Sequence, residues 1–168
     1  HFFIKNNSGE ETVCRNISTI CKNGILKLNS FENSSKRVWV VEDHYRLGSI
    51  YLEKLKTYSM EQNQKIYVSY SPLFPNLPNG IFYPKSKTCF VIGERNYEAE
   101  TKEKEYHYVN MKRFLNLEKL SEGKQKIKFG EKCLSSLFLG AAEALTDAAN
   151  AHEALEKYYI ASMNYSKM

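Results

Sequence analysis

The sequence predicts a three-layer α/β domain with a mainly parallel sheet, followed by a long helical arm. Three observations predict it. Val38–Val41, Ile66–Tyr70 and Cys89–Ile92 are short β-branched and aromatic runs with the length of buried strands. A segment of helical period follows the first of them, the order of a βαβ unit. From Lys124 to the C-terminus there is no proline, and apolar residues recur at three- and four-residue steps.

Taken in order, residues 1–5 read as an edge strand. Glu10 to Asn23 reads as a short helix, with Val13, Ile17, Ile20 and Cys21 at helical spacing and Gly24 as its stop. Ile25–Leu28 reads as a short strand and Asn29 to Lys36 as a polar loop. After Val38–Val41 comes a polar turn, Glu42 to Arg46. Ile50, Leu52 and Leu55, with Tyr51 and Tyr58, then keep a helical stripe to about Met60. The run Lys65–Tyr70 is ended by Pro72, and Pro72, Pro75, Pro78 and Asn79-Gly80 form a loop of strong breakers. Ile81–Tyr83 and Thr88–Ile92 are two further strands. Met111–Leu120 reads as a short helix before the long one. The domain reading is therefore 1–123 for the α/β part and 124–168 for the arm.

Composition bounds the function. The chain of 168 residues suits one domain with a proper core, and 42% hydrophobic with 26% charged residues is ordinary for a globular protein. The net charge of +5 is mild, and the lysines are interleaved with glutamates, as in Glu98–Glu105, which reads as a solvated loop. A nucleic-acid binder needs a clustered basic footprint, so no nucleic-acid partner is expected. No run approaches the ~18 apolar residues of a membrane span. The chain begins at His1 without a signal peptide or an initiator Met, as a processed product or part of something longer would. The four cysteines, Cys14, Cys21, Cys89 and Cys133, show no CxxC pairing, so reduced thiols in a cytoplasm are expected.

The stretch Arg37 to Leu55 carries the most chemistry. Strand, tight turn and helix is the frame in which a P-loop cradles phosphates with backbone N–H groups, a lysine and a helix N-terminus. Here the turn reads Glu42-Asp43-His44-Tyr45-Arg46-Leu47-Gly48-Ser49. It has no lysine, and two carboxylates sit where an anion would bind. Glu42, Asp43 and His44 read either as a metal or acid–base cluster, or as a cap in which Asp43 closes the helix while the other two face water. Arg46 or Arg37 would be the source of positive charge. Tyr67, Tyr70 and Tyr83 surround the proline loop and would either stack on a base or peptide, or pack between strands.

The arrangement is similar to the second domain of an uncharacterised bacterial family of predicted ATPases built from two P-loop domains in tandem, each with a long helical hairpin. His1-Phe2-Phe3, Arg37–Val41, Tyr67–Pro75, Ile81–Pro84 and Cys89–Ile92 match the family's start and strands. His152–Ile160 with Met163-Asn164-Tyr165 looks like the turn at its hairpin tip. The resemblance implies a P-loop NTPase-like fold. It also places the phosphate-binding Lys at Gly48, the glycine before it at Leu47, and the magnesium-binding Ser/Thr pair at Ser49 and Ile50. This degenerate Walker A motif implies no ATPase activity, since phosphoryl transfer depends on positioning and positive charge.

Two functions follow as expectations. One is a non-catalytic P-loop-like domain acting as an interaction or assembly module through its arm. The other is a weak nucleotide-binding or sensor domain through Ser49 and the helix N-terminus, or the regulatory half of a tandem ATPase. No metal and no cofactor beyond a weakly held nucleotide is expected. The seam Leu134, Leu137, Ala141, Leu145, Ala148, His152, Leu155 and Tyr159 is close to a heptad pattern. It is too long for Met111–Leu120 to cover, so self-association or a protein partner is expected there, with Leu134, Leu137, Leu145 and Leu155 at the interface and His152 as a hydrogen-bonded core histidine.

Overall fold

The computed structural model describes residues 3–4, 12–21, 24–93 and 104–162. Its centre is a seven-stranded sheet of β1 (Phe3–Ile4), β2 (Thr12–Cys14), β5 (Arg37–Glu42), β6 (Tyr67–Tyr70), β7 (Pro78–Tyr83), β8 (Thr88–Gly93) and β9 (Glu105–Val109), in the order β1-β2-β6-β7-β8-β5-β9. β3 (Ser18–Cys21) and β4 (Gly24–Lys27) form a separate two-stranded sheet. β2, β6, β8, β5 and β9 run one way, and β7 and β1 run the other. The sheet is thus mostly parallel in direction but not built only of βαβ units. The turns joining β6, β7 and β8 are too short for a crossover, so that segment must be an antiparallel meander.

β5 lies between β8 and β9, parallel to both, with Val40 opposite Val91 on one side and Tyr108 on the other. Its alternation sends Val38 and Val40 to one face and Val41 to the other, all fully buried. A strand covered on both faces reads as a continuous apolar run, which is why it was legible. The helix α2 (Leu47–Glu61) follows it and packs on β7 and β8, carrying the chain across to β6. On this face Leu52 meets Val41, Ile66, Val68, Ile81 and Met111. Burying a side chain of that size is worth roughly 1.5–3 kcal/mol. The inward positions of α2 are Gly48, Ser49, Leu52 and Ser59, whereas Ile50, Tyr51 and Tyr58 face out.

The opposite face holds Ile17, Phe31, Val38, Val40, Cys89 and Val91. Phe31 comes from the one-turn helix α1 (Ser30–Asn33), inside the segment read as a polar loop. A single buried phenylalanine among polar residues decides that turn. Gly80 makes room for it, because a Cβ there would lie 2.6 Å from Ile17 Cδ1 and 3.3 Å from the Phe31 ring.

Glu10 to Asn23 is not a helix in its described part. Thr12–Cys14 pairs parallel with Tyr67–Val68, and Ser18–Cys21 is a strand. Val13 and Ile17 satisfy a helical spacing, but the backbone of β6 and the residue before it accept the N–H groups of Val13 (3.2 Å, to Ile66) and Arg15 (2.9 Å, to Val68). Tertiary pairing overrides the local pattern. Residues 98–103, in the charged loop, lie outside the described residues, whereas Lys104 and Glu105 lead into β9.

The chain divides into two compact bodies, His1–Thr19 with Lys27–Asn116, and Ile20–Leu26 with Leu117–Met168. The second is dominated by α3 (Leu117–Ser162), 46 residues and about 69 Å at 1.5 Å per residue. It starts at Leu117 rather than Lys124. The predicted helix Met111–Leu120 resolves into one 3-10 turn, Met111–Phe114, capped by Asn110 accepting from the Lys112 N–H at 2.9 Å, and the first turn of α3. Among the described residues, no helix is long and apolar enough to cross a membrane.

Candidate functional site

The turn after β5 lies at the C-terminal end of a buried strand, the place where open α/β sheets put their ligands. β5 ends at Glu42, and α2 opens five residues later at Leu47. Between them Tyr45 and Arg46 take positive φ, 52° and 64°. Two successive left-handed residues without a glycine cost roughly 1–2 kcal/mol each, so something must hold them. Two contacts do. The Arg46 guanidinium lies over the Phe74 ring, 3.3 Å from its centroid. Asp43 folds back onto the start of α2, its Oδ1 accepting from the N–H of Gly48 at 2.9 Å and of Ser49 at 3.4 Å, while Ser49 Oγ donates to Oδ2 at 3.2 Å.

The first N–H groups of a helix have no partner within it and bind anions readily. Here the Asp43 carboxylate takes two of them, those of Gly48 and Ser49, together with the Ser49 hydroxyl. Gly48 permits this closeness. A Cβ at position 48 would lie 2.9 Å from Ile92 Cδ1 and 3.2 Å from the Cα of Asp43. Position 48 is therefore needed without a side chain.

Glu42 does not face water. It is buried and pairs with His44, Nε2 to Oε2 at 3.3 Å. Within this turn Asp43 is paired with Gly48 and Ser49, and Glu42 with His44, while Arg46 lies on Phe74. Arg37 is at the far end of β5, about 17 Å away along the strand, so it brings no charge to this turn. Among the described residues no group of three or more His, Cys, Asp and Glu is placed to hold a metal ion.

The tyrosines do not cluster. Tyr67 faces the Phe31 side, stacked on Phe82 at 5.9 Å under the Arg15 guanidinium, whereas Tyr70 and Tyr83 face the α2 side. Period-two alternation along β6 and β7 divides them. The Tyr83 hydroxyl is 2.6 Å from Ser59 Oγ, and burial pushes its pKa up.

Three groupings were not legible beforehand. Lys56 pairs with Glu53 beneath the Tyr70 ring; burial opposes its charge, but the Glu53 and Tyr70 contacts outweigh this and raise its pKa. A Glu–Lys pair three apart on a helix was the available signal. Cys14 has its pKa raised by burial, against the pull of Lys56, so it is no activated thiolate. Trp39 stacks on Phe90 at 5.8 Å and on His107 at 4.3 Å, an aromatic row across three strands.

On α3, Leu134 and Leu145 are each 42% exposed, Leu155 is 50% and Leu137 73%. His152 is not a core histidine. It is exposed and paired with Glu156 one turn on, at 3.3 Å, because the stripe it lies on is open. Comparison with known protein families, with curated proteins and with solved structures finds no match for this chain.

Proposed function

We propose that this chain is a non-catalytic domain that acts as an interaction or assembly module, burying the apolar stripe of α3 against another chain. One observation carries the reading: Leu134, Leu137, Leu145 and Leu155 are exposed along a single helix. Exposed apolar surface of that continuity marks interaction sites. The turn after β5 supports the same reading from the other side. Its anion-binding N–H groups are taken by Asp43, and that speaks against a nucleotide, whether as substrate or as a sensed ligand. The P-loop-like ancestry suggested by the sequence is part of the proposal and contributes a scaffold rather than a reaction.

The test is Leu145→Glu. It should lower the associated mass in light scattering while the sheet domain keeps its unfolding transition. A chain that stays monomeric, with the amides of α3 already protected from exchange, would overturn the reading, because the stripe would then be packed within its own chain.

A further inference from the structure

Charge is segregated along α3. Between Leu117 and Leu139 it carries five lysines and three glutamates; between Gly140 and Ser162 it carries three glutamates, one aspartate and one lysine. One half is net positive and the other net negative. The helix dipole has the same sense, positive at the N-terminus and negative at the C-terminus. Two such helices side by side in parallel would set like charge against like. In the antiparallel sense each basic half faces an acidic half.

Part of the stripe has the matching symmetry, with His152 among its residues. Leu120, Ile127 and Leu134 stand seven apart before the midpoint, and Leu145, His152 and Tyr159 stand seven apart after it. A two-fold axis between Leu139 and Gly140 brings Leu134 opposite Leu145, Ile127 opposite His152 and Leu120 opposite Tyr159.

We propose that a second copy of this chain covers the α3 stripe, its own α3 running antiparallel about an axis between Leu139 and Gly140. The contact is isologous, the same patch on both copies. It rests on the reading of α3 as the interaction surface and adds the partner and its orientation.

The test uses the full chain with the exposed thiol removed by Cys133→Ser. Leu134→Cys and Leu145→Cys are each introduced alone, and the two proteins are oxidised separately and as an equimolar mixture. The mixture should yield the mixed disulfide, and neither protein alone should crosslink, because like positions lie about 16 Å apart along the axis and a disulfide needs Cα atoms within about 7 Å. Crosslinking of each protein with itself, and none between them, would overturn the antiparallel pairing while leaving α3 as the interface. As a second measurement, the unsubstituted dimer should dissociate more readily as salt is raised. A dimer tightened by salt, or a chain monomeric at every concentration, would overturn the proposal.

Discussion

Asp43 accepts the Gly48 N–H at 2.9 Å, so the start of α2 is closed by a carboxylate belonging to the chain itself. A side chain five residues earlier thus does for this helix what a bound anion does at a phosphate-binding turn. Removing it leaves the amides of Gly48 and Ser49 without that partner and the two left-handed residues less supported. Asp43→Ala should cost about 1–2 kcal/mol, in the range of a lost helix cap, and Asp43→Ser should recover part of it. Denaturant unfolding measures both.

Gly48→Ala should destabilise by about 1–3 kcal/mol, the range for overpacking, since the new methyl would meet Ile92 and the Asp43 backbone. Gly48→Lys should destabilise further and gain no nucleotide binding. A thermal-shift scan with ATP and Mg²⁺ should be flat for the unsubstituted chain. A nucleotide at 100 times its Kd would add about 2.7 kcal/mol, which such a scan would register.

Burial pushes the Cys89 thiol up to about 12. The folded chain then keeps its proton at a pH where the unfolded chain, with a thiol near its usual 9.0, has lost it. The contribution is fully present below pH 9 and is lost as pH rises toward 12, with a slope approaching ~1.4 kcal/mol per pH unit. Cys89→Ala should flatten this alkaline loss. At pH 8, alkylation should take the exposed Cys133 quickly and Cys89 only on unfolding.

Trp39 is the only tryptophan, so its stack on His107 has a direct optical readout. His107→Ala should shift its emission to the red by admitting water to one ring face. Phe90→Ala should do the same from the other side.

The parts of this fold that were legible are those whose pattern has one solution. Val38–Val41 is apolar on both faces and had to be a central strand. The proline-free run with three- and four-residue steps had to be a long helix. Val13, Ile17 and Ile20 fit a helix as well as strands; pairing with β6 decides for Val13, and pairing of β3 with β4 decides for Ile20. Phe31 turns a polar loop into α1 because the sheet face above Gly80 is open to it. At the candidate site the cap by Asp43 was one of two readings of the turn. The need for a bare Gly48 depends on Ile92 of β8 lying close by, which no local spacing conveys. Trp39 and His107 are joined by a parallel register that spans the charged loop, and nothing in either strand alone points to it.

The most direct test of α3 as the working surface is amide hydrogen exchange along residues 117–162, measured as protein concentration is raised. The account predicts protection that grows with concentration, strongest around Leu134 and Leu145 and symmetric about Gly140, with the sheet domain unchanged. Protection in α3 that is the same at every concentration would contradict it.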